Sequence, residues 1–376
     1  MARLFTLTMT LLCAMTVHAD DNAAALNAIR DRAMTSDWTY QRLSDLTYKI
    51  GPRLSGSPQA QAAVEQVAAA MKADGFKVTL QPMRAPHWVR GVESAELVAY
   101  LGRPNGSAQS LLPHTGQMAY ASDAGKIPTA ALSAEDAMLV HRLANQGAVT
   151  LKLVLTPQRL PDVDSYNVVA DLVSSEKPDE IALVSGHLDS WDLATGAIDD
   201  GAGIAAAMGA AHVIKELNLI PKRTMRVVAW MSEDNSGAGA QAYFDANKAN
   251  TNKHVAVIES DTGAGKPLGL AMHVAPESLT KLQPVFDALV PIGASAVARR
   301  QETVGSDPDQ MQNAGVPGFE PLLDARHYFD YHHTAADTLD KVDPKNLQRM
   351  VATMAVLAYH IANAPEMLER APVVKE

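Results

Sequence analysis

The chain has 376 residues, 47% of them hydrophobic and 20% charged, with 42 acids against 32 bases for a net charge of −10, and a single cysteine. An apolar fraction near one half excludes a disordered chain, and the acidic balance argues against nucleic acid or an anionic membrane as the partner. One cysteine excludes internal disulfides and Cys-rich metal sites, so any metal must be held by His, Asp and Glu.

Arg3 supplies a positive start, Leu4 to Val17 is mostly apolar, and Val17-His18-Ala19 offers small residues ahead of Asp20. This order predicts a signal peptide over residues 1–19, cleaved after Ala19, and a secreted or periplasmic product. Cys13 lies inside that segment, so the mature protein is expected to be thiol-free. The apolar run is shorter than the roughly 20 residues of a bilayer span, and nothing later reaches that length.

From Asp21 to about Leu46 the period is helical, with Leu26, Ile29, Met34, Leu43 and Leu46 as core positions. A turn-rich loop, Ile50 to Pro58, leads into a second helix over Ser57 to Asp74. Ser57 is its N-cap, Pro58 lies in its first turn and Gly75 just past its end. Lys77 to Leu80 reads as a short strand. Residues 93–161 change in character. Gly102, Pro104, Gly106 and Pro113 come first, then Ile127 to Leu132, then a helix opening at Ser133-Ala134-Glu135-Asp136 and running to about Gln146. The strand Val149 to Leu155 closes what reads as a small module inserted between 20–92 and 162–376. After it the strands Asn167 to Leu172, Ile181 to Ser185, Thr224 to Trp230 and His254 to Glu259 are interspersed with helices. Those helices are Gly201 to Leu217, Gly237 to Asn247, Glu277 to Leu289 and Pro344 to Ala362. The pattern predicts an α/β fold with a mixed, mostly parallel central sheet flanked by helices.

The crevice of an open α/β sheet lies beyond the carboxyl ends of its strands. His187, Asp189 and Asp192 follow one strand, and Asp199-Asp200-Gly201 opens a helix. Glu233-Asp234 and Asp261 follow two further strands, and His332-His333-Thr334 precedes Asp337-Thr338. Each run alone is ordinary. His-x-Asp is usually a hydrogen-bonded surface pair, Asp-Asp-Gly is usually a helix cap, and Glu-Asp after a strand is usually a solvated corner. Together, in a protein with no usable thiol, they form a ligand set suited to Zn²⁺, or to Mn²⁺ or Co²⁺, with carboxylates able to bridge two ions. His212 and His360 fall within helices and read as structural; Asp192 reads as a turn former, and Asp307 and His327 as ordinary loop residues.

The ordered set Ile50 to Ser57, Gly186 to Asp192, Asp199 to Gly201, Glu233-Asp234, Asp261 and His333 to Thr338 resembles the di-zinc exopeptidases of the aminopeptidase S type. The runs His187 to Asp192, Trp88 to Gly91, Pro113 to Gly116 and Ser133 to Asp136 favour one branch of that family, named for a carboxypeptidase. The resemblance implies a phosphorylase/hydrolase-like zinc exopeptidase fold with a protease-associated-like insert, which looks shortened here. It implies two Zn²⁺ ions, one held by His187 and Asp261, the other by Asp234 and His333, with Asp199 between them. Glu233 is then the general base, Asp189 orients the His187 imidazole, and the Asp199-Asp200 peptide is cis. His332 competes with His333 as ligand, and otherwise stands where relatives place a donor to the oxyanion. The implied activity is that of an exported aminopeptidase or dipeptidase acting on short peptides, with a homodimer left open. The family usually carries Glu-Glu where this chain has Glu233-Asp234, which weakens the second metal's hold by one methylene of reach. That departure sustains the alternative of a catalytically weak or inactive peptide-binding relative.

Overall fold

A computed structural model describes residues 21–103, 108–110, 115–118 and 120–372. The expected signal peptide, with Cys13, lies outside the described residues, as do Pro104, Gly106, Pro113 and His114. In chain order the strands are β1 (Lys77–Val89), β2 (Glu93–Ala99), β3 (Ala108–Ser110), β4 (Thr150–Leu155), β5 (Gln158–Leu172), β6 (Lys177–His187), β7 (Arg223–Trp230), β8 (His254–Glu259), β9 (Pro267–His273), β10 (Ala296–Arg299) and β11 (Gly318–Leu323). Eight of them form one sheet in the order β1-β5-β7-β6-β8-β11-β9-β10. Its centre, β7-β6-β8-β11, is parallel, as is the β9–β10 pair at one edge. The β1–β5, β5–β7 and β9–β11 pairs are antiparallel. The sheet is therefore mixed and mostly parallel, as its strand–helix alternation predicts.

Strand β6 shows why the centre is buried on both faces. Its last seven residues, from Ile181 to His187, are all buried, the continuous pattern of a strand covered by helices above and below. The helices Ala202–Glu216 and Pro344–Asn363 contribute an alanine-rich face and a mixed face of Ala, Met, Val and Leu to the larger core. A second, smaller cluster gathers Leu183, Val228 and Trp230 with Tyr243 of the helix Ala238–Asn247. Gly186 lets the start of helix Ala202–Glu216 settle directly on the end of β6. A Cβ there would lie 2.4 Å from the backbone nitrogen of Ile204 and 2.5 Å from Asp200 Oδ2.

Local signals misjudged several boundaries. The expected helix from Asp21 to Leu46 is two helices, 21–33 and Trp38–Asp45, followed by a π turn over Leu46–Ile50. The break falls at Thr35-Ser36-Asp37, where Ser36 Oγ accepts the Trp38 N–H at 3.4 Å. Strand β1 continues past Leu80 to Val89 through Pro82 and Pro86. It is an edge strand, where a missing N–H costs no ladder bond on the open side. The expected helix over Glu277 to Leu289 divides at Leu282, with a proline in the first turn of its second part.

Strands β3, β2 and β4 form a separate antiparallel sheet, joined by the helix Ala134–Ala144, whose start is capped by Ser133 Oγ accepting the Asp136 N–H at 3.1 Å. That helix buries none of its residues. Pairing of Val89 with Gln158 carries the large sheet out to the base of this module. Among the described residues no helix is long and apolar enough to cross a membrane.

Candidate metal centre

The site is assembled where the parallel strands end. His187 closes β6, and its backbone N–H donates to Asp200 Oδ2 at 3.0 Å, while Asp200 Oδ1 accepts the Gly203 N–H at 3.0 Å. Asp200 therefore spends both oxygens tying the strand to the following helix. Its neighbour Asp199 precedes it across a cis peptide bond, as the family resemblance implies. The turn carrying Asp199 hangs from Asp337, whose Oδ1 accepts the N–H groups of Ala197 and Ile198, both at 2.7 Å. Asp337 Oδ2 takes the Asp199 N–H at 3.2 Å. After β7, Ser232 adopts a left-handed conformation (φ 74°). Asp189 Oδ1 holds the chain there by accepting the N–H groups of Ser232 at 2.6 Å and Glu233 at 3.1 Å.

The tautomers of two histidines follow from their neighbours. His187 Nδ1 lies 3.1 Å from the Asp189 carbonyl oxygen and His333 Nδ1 lies 3.2 Å from the Thr115 carbonyl oxygen. A carbonyl can only accept, so each Nδ1 carries the proton and, in the neutral ring, each Nε2 presents a lone pair. His187 Nε2 faces Asp199 Oδ1 at 3.2 Å and Asp261 Oδ1 at 3.4 Å. His333 Nε2 faces Asp199 Oδ2 and Asp234 Oδ1, both at 3.1 Å. Lone pairs directed at carboxylate oxygens repel unless positive charge lies between them. Both Asp234 oxygens are buried without a hydrogen-bond partner among the described residues, an arrangement that a cation satisfies. These residues fit a metal site, and their nitrogen and carboxylate donors suit zinc.

Charge demand points the same way. Against the burial that opposes it, the Asp199 and Asp234 carboxylates raise His333 to about 10. His187 is likewise raised well above its usual value: burial opposes the charge, and Asp261, Asp199 and Asp234 together outweigh it. Burial, then the neighbouring charge of Asp199, pushes Asp234 up to about 8. Asp199 is buried too, yet the two imidazoles at its oxygens, those of His187 and His333, hold it below the ordinary carboxylate range once they take up the charge described. Glu233 is raised by burial and by the charges of Asp261, Asp189 and Asp199, the direction a general base needs.

Glu233, Asp234, Asp189, Asp199, Asp261, His187, His332 and His333 thus all meet at one place. Two groupings could each hold an ion: Asp199 with His332 and His333, and His187 with Asp200 and Asp261. Because both Asp200 oxygens already accept backbone N–H groups, Asp199 is the freer carboxylate for either ion. His332 stacks on His333 at 3.6 Å between ring centroids and keeps its Nε2 3.5 Å from Asp199 Oδ2. Asp189 meets the His187 ring through its main-chain carbonyl, with the nearer carboxylate oxygen 3.8 Å away and engaged by the Ser232 and Glu233 amides. Asp192 does more than form a turn, since it pairs with Arg90. Asp307 is not an ordinary loop residue; it is buried, with both oxygens unpartnered among the described residues. His327 is exposed and pairs with Asp330 at 2.8 Å. His212 stacks on Trp38 and bonds Asp74, and His360 Nε2 donates to the Lys281 carbonyl while its Nδ1 accepts from Asn22 Nδ2.

Three supporting residues escaped sequence reasoning. Arg53, in the Gly-Pro-Arg-Leu-Ser-Gly loop, is fully buried and donates to the carbonyls of Leu188 (2.7 Å), Gly51 (3.2 Å), Thr195 (2.5 Å) and Gly196 (2.9 Å). Ser306 Oγ donates to Asp261 Oδ2. Thr115, from the inserted module, holds His333 twice: its carbonyl accepts from Nδ1, and its N–H donates to the His333 carbonyl at 3.0 Å. Arg53→Met leaves four carbonyls without their donor. It is expected to lower the unfolding free energy by about 3 kcal/mol or more, read from urea denaturation; a loss below about 1 kcal/mol would show that water replaces the guanidinium.

The model of peptidase family M28 matches residues 167–358. Carboxypeptidase Q of Homo sapiens is 33% identical over 411 aligned positions, covering 88% of this chain and 87% of that protein. Since 88% of 376 residues is about 331, about 80 aligned positions of the human protein have no counterpart here. A solved peptidase M28 precursor from Shewanella amazonensis SB2B superposes with a TM-score of 0.87 at 29% identity, covering 94% of this chain and 99% of that one. A zinc aminopeptidase from Bacillus subtilis shares the fold, with a TM-score of 0.62 at 15% identity over 89% of this chain and 97% of its own.

Proposed function

The chain belongs to peptidase family M28, and on that premise we propose that it is an exported zinc exopeptidase cleaving short peptides at a two-cation centre. It is a metallo-exopeptidase by its family and its carboxypeptidase Q relatives. One observation carries the finer reading: two imidazole nitrogens address opposite oxygens of the same Asp199 carboxylate. In this reading His187, Asp261 and Asp199 would hold one cation, and His333, Asp234 and Asp199 the other.

Bound zinc would supply Lewis acidity to the scissile carbonyl and to the attacking water. The chain's own residues move the protons. Glu233, kept basic by its surroundings, takes a proton from the water and delivers it to the leaving amine. Asp189 fixes that base through the Ser232 and Glu233 amides. His332, stacked on His333, donates to the oxyanion. The shorter Asp234 still comes within 3.1 Å of His333 Nε2, which supports a working second site and weighs against the inactive, peptide-binding alternative.

The peptidase body is assigned to 20–92 and 162–376, and the module to 93–161. We attribute the relatives' additional 80 or so positions to that module, in keeping with a helix that buries nothing. Residues 1–19 are assigned as the export signal. The purified protein is expected to hold two equivalents of zinc and to hydrolyse dipeptides. Chelation should abolish turnover, and zinc, manganese or cobalt should restore it. Full metal loading with no turnover of any di- or tripeptide overturns the peptidase reading and leaves the binding one.

A further inference from the structure

We infer that Arg90, which lies outside the ligand set, is a positioning residue for the second cation: by holding Thr115 it fixes the rotation of His333, and so governs the hold on that cation and not on the first. The inference rests on the two-cation reading above and adds to it the outer support of one site.

Arg90 lies just past the end of β1, on the wall of a cleft of about 260 Å³ between that strand and the inserted module. A guanidinium on a cleft wall commonly anchors a substrate carboxylate. Its hydrogen bonds assign it to the protein instead. Nε donates to Asp192 Oδ2 at 2.8 Å, and Nη2 donates to Asp192 Oδ1. Nη1 donates to Glu93 Oε2 at 3.1 Å, and the remaining Nη2 N–H goes to Thr115 Oγ1 at 2.9 Å. Four of the five N–H groups are thus engaged. The guanidinium also lies over the Trp88 ring, 5.1 Å from its centroid.

What this clamp holds is Thr115. That residue lies in no helix or strand. Among the described residues its hydrogen bonds are the Arg90 bond at its side chain and the two that its backbone exchanges with His333. Packing alone leaves the His333 ring a choice. His332 stacks on its face and Trp191 meets it edge-on at 5.7 Å between centroids, and a half-turn about Cβ–Cγ preserves such contacts. That half-turn would put a ring carbon in place of Nε2 opposite Asp199 and Asp234. The Thr115 carbonyl opposes it, because only the present rotamer offers an N–H at that point.

His187 is held without such help. Its Nδ1 donates to the carbonyl of Asp189, two residues along the chain. The same loop is pinned by the Leu188 N–H donating to the Trp230 carbonyl at 2.6 Å, and by Ser190 Oγ accepting the Arg53 N–H at 3.0 Å. One histidine is therefore oriented within its own loop. The other depends on a residue 218 positions away that Arg90 keeps in place.

The test titrates Zn²⁺ into the metal-free full chain against a competing chelator. The wild type is expected to bind two equivalents. Arg90→Met removes the clamp; Thr115→Val removes only the acceptor and leaves the pairs with Asp192 and Glu93, which guards against a variant that fails to fold. Each should weaken one zinc by about 10–100-fold and leave the other within about twofold. The double variant should be no weaker than Arg90→Met, because both changes cut the same path. In a His333→Ala background Thr115→Val should have no further effect on zinc. Excess zinc should restore kcat in Thr115→Val. Unchanged affinities for both ions, or equal weakening of both, overturn the inference and leave the peptidase reading intact. Fewer than two equivalents in the wild type overturns the two-cation reading instead. Hydrogen exchange at the Thr115 amide of the metal-free protein then still reads the hold on His333. It should quicken in both variants, and an unchanged rate overturns the inference.

Discussion

Glu233→Gln is expected to lower kcat for dipeptide hydrolysis by about 10³-fold or more, with metal content and fold unchanged. The side chain is half-buried, and no hydrogen bond fixes its carboxylate among the described residues; the backbone is what Asp189 holds. Glutamine keeps the shape and loses only the ability to take and return a proton. Because that proton is needed twice, once from water and once at the leaving amine, both halves of the reaction suffer. The loss should appear in kcat rather than KM, since the residue serves the transition state and not substrate capture. Metal analysis by atomic emission on the same preparation separates this outcome from a collapsed site. A variant that keeps full activity removes Glu233 from the mechanism.

Asp199→Asn is expected to strip the protein of both cations. Among the described residues Asp199 alone addresses both histidines, Oδ1 toward His187 and Oδ2 toward His333. An amide in its place turns an N–H₂ toward one imidazole, so one of the two sites loses a donor outright and both lose negative charge. Zinc added to the wild type should raise its Tm by mass action, and that rise should shrink sharply in the variant. Turnover should fall by more than the 10–100-fold that is typical for an outer partner of a metal ligand (about 1.4–2.8 kcal/mol). Retention of two equivalents of zinc after gel filtration would reject a shared carboxylate.

The parts of the protein that could be read from its sequence are those where chemistry and local pattern coincide. Strands β6, β7 and β8 are runs of Val, Ile and Ala, and the acids and histidines of the site begin where those runs stop. Strands β9 and β11 were not found because Pro267, Gly269, Gly318 and Pro321 interrupt them, and β10 is four mostly exposed residues at an edge. Local propensity reads such stretches as loops. The roles of Arg53 and Asp337 were hidden for another reason. Each acts on backbone groups of a loop more than a hundred residues away, and a carbonyl or amide offers no side-chain pattern to match. Asp189 shows the same limit in miniature: the right residue was identified, but the atom that touches His187 belongs to its main chain.

Thr115 gives the inserted module a stake in the metal centre. Had the module merely overhung the cleft, evolution could have discarded it whole without touching the chemistry. Here His333, a proposed metal ligand in the last fifth of the chain, takes its orientation from a residue in the first third. The module can therefore be pruned from its outer surface inward, and the pruning has a floor at the segment that grips His333.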